Sequence, residues 1–346
     1  MLKVLKKIAL VSTAAVMLTS LTACNTKIKI DYGYNPEDYI TLGQYQGIEV
    51  SVDTESIKNG LINDHIKSEQ EDNTTYSDVS RGAIEGDKVI CDFAGSIKGQ
   101  MVNGFSDNDY SLVLGKDTFV VDGFIDQLYG MKAGESKVAI LEVPESFSSA
   151  PEYAGSKIVF EITVTAVQQP LVPMVTDAYV KEKFNLNSVE EYRNSVEEEI
   201  KDTIDEKLEA AKKEAVLSKL QDNCTVKGYP EDFLNSQRDS FEQSIKFYAL
   251  MQGKSNDEYC QDHFGISFEE YVKKAVAQQL ILQAIAQKEK MTITEYEYKG
   301  DLEAFVKRQG STDKDNFVEK YGRDKVVQSM LAEKAQNLVM ETAVYK

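Results

Sequence analysis

The sequence predicts an α+β protein: an antiparallel sheet wrapped on a short helix, followed by an extended all-α domain. Three observations carry this. From Val89 to Ala166, apolar residues recur at every second position in short runs separated by glycine-containing turns, the pattern of antiparallel strands with one buried face. After Gln169-Pro170 the period becomes 3.6 and stays so to the C-terminus. Strands come first and helices afterwards, an order that disfavours alternating βαβ units.

Ahead of the sheet, Ile48, Val50 and Val52 alternate as a strand. Residues 53–71 read as a helix, with Ile57, Leu61, Ile62, His65 and Ile66 on one side, and 72–86 read as a loop. In the sheet, Val89, Cys91 and Phe93 share a face, as do Tyr110, Leu112 and Leu114. Ala139, Leu141 and Val143 oppose Val138, Ile140 and Glu142, and Ile158, Phe160, Ile162, Val164 and Ala166 form the longest apolar face. A short helix at 125–129 is closed by Gly130.

In the helical half, Ser188 to Glu191 reads as a capping box opening one helix of about 35 residues, or ~50 Å. A helix that long suggests extended arms. Pro230 opens another helix, and Ser267 to Glu270 and Thr294 to Glu297 are further capping boxes. Gly310 and Gly322 read as helix stops before a last helix from Arg323.

The first residues have a different character. Lys3, Lys6 and Lys7 make a basic start, and Ile8 to Ser20 is apolar but short for a membrane span. Leu21-Thr22-Ala23-Cys24 is similar to a bacterial lipobox. Residues 1–23 are therefore expected to be a lipoprotein signal peptide, and Cys24 to carry a lipid. Two acyl chains hold a protein where one binds only marginally. Residues 24–40 are expected to form a lipidated tether, placing the protein outside the cytoplasm on the cell membrane.

Net charge is −18, and the leader carries three of the lysines, so cutting before Cys24 leaves −21 on 323 residues. Such a surface repels phosphate backbones, which excludes nucleic acid as a partner. It also repels anionic headgroups, so the lipid must do the anchoring. With Cys24 lipidated, Cys91, Cys224 and Cys260 remain. An odd remainder argues against a disulfide framework, and buried thiols are favoured over a Cys224–Cys260 bridge. His65 and His263 are the only histidines, and no ligand cluster or nucleophile motif is present in the sequence. No cofactor and no metal is expected.

Gly86-Asp87-Lys88-Val89-Ile90-Cys91-Asp92-Phe93-Ala94-Gly95 resembles the opening strand of an FKBP-type prolyl isomerase domain. Gly123-Phe124-Ile125-Asp126-Gln127-Leu128 and Gly130-Met131-Lys132-Ala133-Gly134-Glu135 resemble its helix and following turn, and Val143-Pro144-Glu145 with Phe147 its flap. Leu42-Gly43-Gln44-Tyr45-Gln46-Gly47-Ile48 is similar to the approach to that domain in the trigger factor family. From Pro173 and Thr176-Asp177 onward the chain resembles the C-terminal chaperone domain of that family, an all-α (trigger factor C-terminal/SurA-like) fold. The resemblance implies a linker strand and helix at 41–84, an FKBP-type domain at 85–168 and a helical chaperone domain at 169–346. It also implies that the family's ribosome-binding domain is lacking, with a signal peptide in its place.

The implied activity is peptidyl-prolyl cis-trans isomerisation joined to chaperone action, a foldase for secreted or surface proteins. Its partners would be unfolded or nascent polypeptides with X-Pro bonds. An X-Pro bond turns over a barrier of ~18–20 kcal/mol set by amide resonance. An apolar pocket disfavours the polar planar amide and holds the proline ring, so no nucleophile is needed. Carried over by motif position, the pocket is Phe93, Tyr110, Val121, Phe124, Phe147 and Phe160. Where the family places an aromatic and then an acid after the first hairpin, this chain has Val102 and Asn103, with Phe105 three residues on. Val102→Phe is accordingly expected to raise the rate. In the helical half, Phe247, Tyr248, Leu250 and Met251 are candidates for a client cradle, against packing between helices or in a dimer. Two alternatives stay open: a non-catalytic holdase with the FKBP domain as scaffold, kept by Val102 and Asn103, and a solute-binding lipoprotein.

Overall fold

The computed structural model describes residues 26–145, 147 and 151–346. The expected signal peptide and Cys24 lie outside the described residues. The chain divides into two compact units: Glu55–Ile204, and the N-terminal segment to Thr54 together with Asp205–Lys346.

Among its described residues the first unit holds five strands: β1 Thr75–Asp78, β2 Lys88–Ile97, β3 Gln100–Val113, β4 Ser136–Glu142 and β5 Lys157–Leu171. All pairings are antiparallel, in the order β1-β5-β2-β3, with β4 also beside β5. Alternation sets the inner face. Val89, Cys91 and Phe93 of β2 and Ile158, Phe160, Ile162 and Val164 of β5 are buried, against Phe124 and Leu128 of the segment around a short 3-10 turn, Ile125–Gln127. The expected fifth inward residue of β5, Ala166, is replaced by Val167. A register shift opposite Ile90 and Cys91 inserts one residue and reverses the facing beyond it.

Strand β1 falls where a loop was expected. Thr75-Tyr76-Ser77-Asp78 has no apolar alternation, because this edge strand buries none of its side chains. Asp87, fully buried before β2, accepts a hydrogen bond from the Ile84 amide at 3.0 Å and pairs with the Arg81 guanidinium. That guanidinium holds the Asp87 carboxyl below its ordinary range.

Helix α1 Thr54–Asp72 buries Ile62 and Ile66. Helices α2 Asp177–Phe184 and α3 Val189–Glu199 join it: Arg193 on α3 donates to Asn63 at 2.7 Å and Asn59 at 3.3 Å of α1. The boundary expected at residue 169 therefore differs from the packing, which keeps 169–204 with the sheet. The single 35-residue helix expected from Ser188 is also revised. It is α3 and then α4 Lys201–Asn223, separated at Ile200, whose φ of −98° and ψ of 18° leave helical geometry. The Ser188 hydroxyl accepts from the Glu191 amide, but the Glu191 carboxylate takes the Asn187 amide, so the box is half made.

The second unit is helical: α5 Glu231–Met251, α6 Asn256–Phe264, α7 Phe268–Lys288, α8 Glu295–Arg308, α9 Lys314–Tyr321 and α10 Arg323–Thr342. Capping boxes at Ser267 and Thr294 are complete, as is one at Ser255. Helix α7 is the centre, buried on every side from Leu280 to Ala286. It packs against Val326, Val327, Met330, Leu331, Ala335 and Val339 of α10. Among the described residues no helix is long and apolar enough to cross a membrane.

Residues 26–39 do not hang free as a tether. Ile28, Ile30, Tyr34 and Tyr39 pack on this helical core, and the Ile28 amide donates to the Ile293 carbonyl at 2.8 Å. The Tyr34 hydroxyl donates to buried Gln283 at 2.9 Å, and burial pushes its pKa up to about 12. The segment looks polar in sequence because its apolar residues are spaced among charged ones. Two short ribbons fix the chain further: Ile40–Thr41 runs antiparallel to Thr225–Val226, and Glu49–Val50 parallel to Val344–Tyr345.

Candidate functional site

The candidate site is an aromatic box on the inner face of the sheet. Its construction starts at a bulge. Ala94 pairs with Ser106 and Ser96 with Met101, so the single residue Gly95 faces Val102 to Phe105. The extra residues let both Val102 and Phe105 point inward, where both are buried. Gly95 permits this approach: a Cβ there would lie 2.8 Å from the Phe105 carbonyl oxygen and 2.9 Å from the Phe105 Cβ and Ile158 Cδ1.

Of the six residues expected in the pocket, four meet directly. Phe93, from β2, stands edge-on to Tyr110 of β3 at 5.4 Å, to Phe124 at 5.1 Å and to Phe160 of β5 at 6.0 Å. Phe124 and Phe160 are 5.1 Å apart and fully buried. Val121 is buried in the same cluster. Phe147, half-buried, does not meet these four rings. Its neighbour is Phe105, at 5.3 Å, and Phe105 in turn stands edge-on to Phe160 at 6.1 Å.

Two aromatic members were not among those expected. Phe105 supplies from three residues along the aromatic that Val102 lacks. The bulge that shifts it inward is a tertiary feature, although the ring itself is visible in the sequence. The other is Phe119, in the segment between β3 and the 3-10 turn. Its ring is stacked on Phe124 at 3.9 Å and 19°. A lone aromatic in a loop has no periodicity to give it away.

Burial first, and then the Asp117 carboxylate, raise the Tyr110 phenol above its ordinary value, so it stays protonated. Burial pushes the Cys91 thiol up to about 11. Cys91, Cys224 and Cys260 are all free thiols. Among the described residues no three His, Cys, Asp or Glu side chains are grouped to hold a metal ion. As it stands, the box holds one flat apolar ring on Phe124, that of Phe119.

A second candidate surface lies in the helical unit, at the C-terminal end of α5. Phe247, Tyr248, Leu250 and Met251 are each more than half exposed, while Ile245 and Ala249 on the same helix are buried. Packing between helices, one half of the competing expectation, does not cover these four within one copy of the chain.

Comparisons with known proteins divide the chain in the same order. Residues 80–165 match FKBP-type peptidyl-prolyl cis-trans isomerase, and residues 188–344 match the bacterial trigger factor protein C-terminus. Trigger factor of Caldicellulosiruptor bescii is 27% identical over 323 residues, covering 90% of this chain and 73% of that protein. Trigger factor of Clostridium botulinum is 29% identical over 289 residues, covering 81% of this chain. The chain spans 66% of that relative's length, and 63% of trigger factor from Halothermothrix orenii, with which it is 26% identical. A solved structure titled "Promiscuous Substrate Recognition in Folding and Assembly Activities of the Trigger Factor Chaperone" covers 87% of this chain, at 18% identity and a TM-score of 0.46. The chain carries an FKBP-type peptidyl-prolyl cis-trans isomerase domain followed by a trigger factor C-terminal domain, and it is similar to trigger factors over most of its length.

Proposed function

We propose that this protein isomerises X-Pro bonds in unfolded secreted or surface polypeptides, and holds those polypeptides meanwhile, on the outer face of a membrane to which a lipid on Cys24 ties it. The observation that carries the catalytic half is the box itself: rings from β2, β3, β5 and the 3-10 segment converge within 5–6 Å. Such a site lowers the barrier by desolvation and shape. The planar amide is stabilised by polar resonance forms, and an apolar wall withdraws the solvent that favours them. The proline ring, gripped by aromatic faces, is fixed while the acyl side turns.

The holding half rests on the exposed end of α5 and on the acidic surface, which attracts basic unfolded chains. Serine at Phe247, Leu250 and Met251 together should raise the aggregation of an unfolded client several-fold, read by light scattering. The same variant should leave X-Pro peptide turnover unchanged, because these side chains belong to the other compact unit. Unchanged scattering would remove this surface from the client path.

The placement rests on Lys3, Lys6, Lys7 and the stretch Leu21 to Cys24. Proline-limited refolding of a model protein, with and without the purified protein, tests the activity. Membrane fractionation of Cys24→Ala tests the anchor: the variant should appear in the soluble fraction or remain unprocessed. Refolding at the uncatalysed rate with aggregation still suppressed would favour the second reading, a holdase. Phe119, stacked on the floor of the box, keeps that reading in view.

A further inference from the structure

We propose that Phe119 occupies the prolyl subsite in the resting protein and that a client proline must displace it; this rests on the isomerase reading and adds a gate to it. Phe119 lies face-on to Phe124 at 3.9 Å. It is walled by the edges of Phe93 at 5.4 Å, Tyr110 at 5.9 Å and Phe160 at 6.0 Å, with interplanar angles of 88°, 80° and 77°. One face on a floor and three edges around it is how a flat apolar ring is held. At 3.9 Å the two rings are in van der Waals contact, so no second ring fits between them. A proline ring on Phe124 and Phe119 in its present place exclude each other.

The surroundings of Phe119 suit a movable side chain. Phe93, Phe124 and Phe160 are buried, whereas Phe119 is only half-buried and its neighbour Val120 is 48% exposed. The segment has neither helix nor strand from Asp117 to Phe119, and its hydrogen bonds sit at its ends. The Asp117 amide donates to Val113 at 3.0 Å and the Phe124 amide to Val121 at 3.3 Å. Gly115 and Gly123 bracket it with φ of +81° and +79°, a region that glycine enters without steric cost. A change of one staggered χ1 well for another carries the Phe119 ring out of the box. The open state is the competent one, so the apparent affinity for a peptide is the intrinsic affinity reduced by the open fraction.

Two variants test this. Phe119→Ala removes the competitor: KM for a short Leu-Pro tetrapeptide should fall at least threefold with kcat little changed. Phe119→Trp gives a reporter, because the chain has no other tryptophan. Its emission should shift to longer wavelength as the tetrapeptide is titrated in, when the indole leaves the stack. The gate is overturned if Phe119→Ala keeps its thermal midpoint but loses kcat/KM, which would make Phe119 part of the platform. An indole emission unmoved at saturating peptide overturns it as well. Should Phe119→Ala fail to fold, Phe119→Leu, with a smaller and non-stacking side chain, is expected to show the same fall in KM. If wild type and variants all leave the peptide at its uncatalysed rate, the isomerase reading fails. The fluorescence titration then decides alone whether a gated binding site remains.

Discussion

Alanine at Tyr110 is expected to lower kcat/KM toward an X-Pro peptide at least tenfold, about 1.4 kcal/mol in the transition state. Tyr110 is half-buried at the open side of the box, edge-on to Phe93 and to Phe119. On the proposed function, truncation there removes a wall of the proline site, and with it only two aromatic contacts, each worth ~0.5–1.5 kcal/mol. The fold should survive, whereas truncating fully buried Phe124 would cost ~3–5 kcal/mol. Tyr110→Phe separates ring from hydroxyl: it should keep most of the activity if the wall is what matters. The pH profile gives an independent reading. Tyr110 has its pKa raised, chiefly by burial, so its neutral form persists to a higher pH than in water. Cys91, at about 11, is likewise a neutral thiol below that range. The rate should therefore be flat from pH 6 to 8. A bell-shaped profile would show an acid or base at work and would count against catalysis by desolvation.

The strands and helices with a buried face could be read from the sequence, because burial imposes a period and the period survives in the residues. Phe93 and Phe160 were placed on inward faces for that reason, and the structure buries both. The capping boxes at Ser267 and Thr294 were equally legible, since each is a local exchange of two hydrogen bonds. What escaped depends on partners distant in sequence. Strand Thr75–Asp78 exists because Gln168–Leu171 offers it an edge. Residues 26–39 lie on the helical core because α7 and α8 are there to receive Ile28 and Tyr34. Val167 replaces Ala166 through a shift of register against β2. Phe119 belongs to no period at all, and only the stack on Phe124 reveals it.

The largest effect on stability is expected at Phe105, and it reverses the expectation attached to Val102. With Val102 read as a missing aromatic, Val102→Phe would restore the pocket. The structure instead has Val102 buried and the aromatic already supplied by Phe105, against Phe147 and Phe160. A phenylalanine at 102 enters a filled space beside Gly95, where even a Cβ would lie 2.8 Å from the Phe105 carbonyl oxygen. Overpacking of this kind costs ~1–3 kcal/mol. Phe105→Ala should cost more, ~3–5 kcal/mol, because it opens a cavity under Phe160 and leaves Phe147 without its ring partner. In a unit of this size that lowers the thermal midpoint by about 10 °C. The two sites share one space, so their effects should not add. Val102→Phe combined with Phe105→Val exchanges the side chains and keeps the total volume. That double variant should recover a good part of the stability lost by either single change, read as its thermal midpoint. A double variant as unstable as the sum of its parts would mean that the bulge demands its aromatic at 105, whatever fills 102.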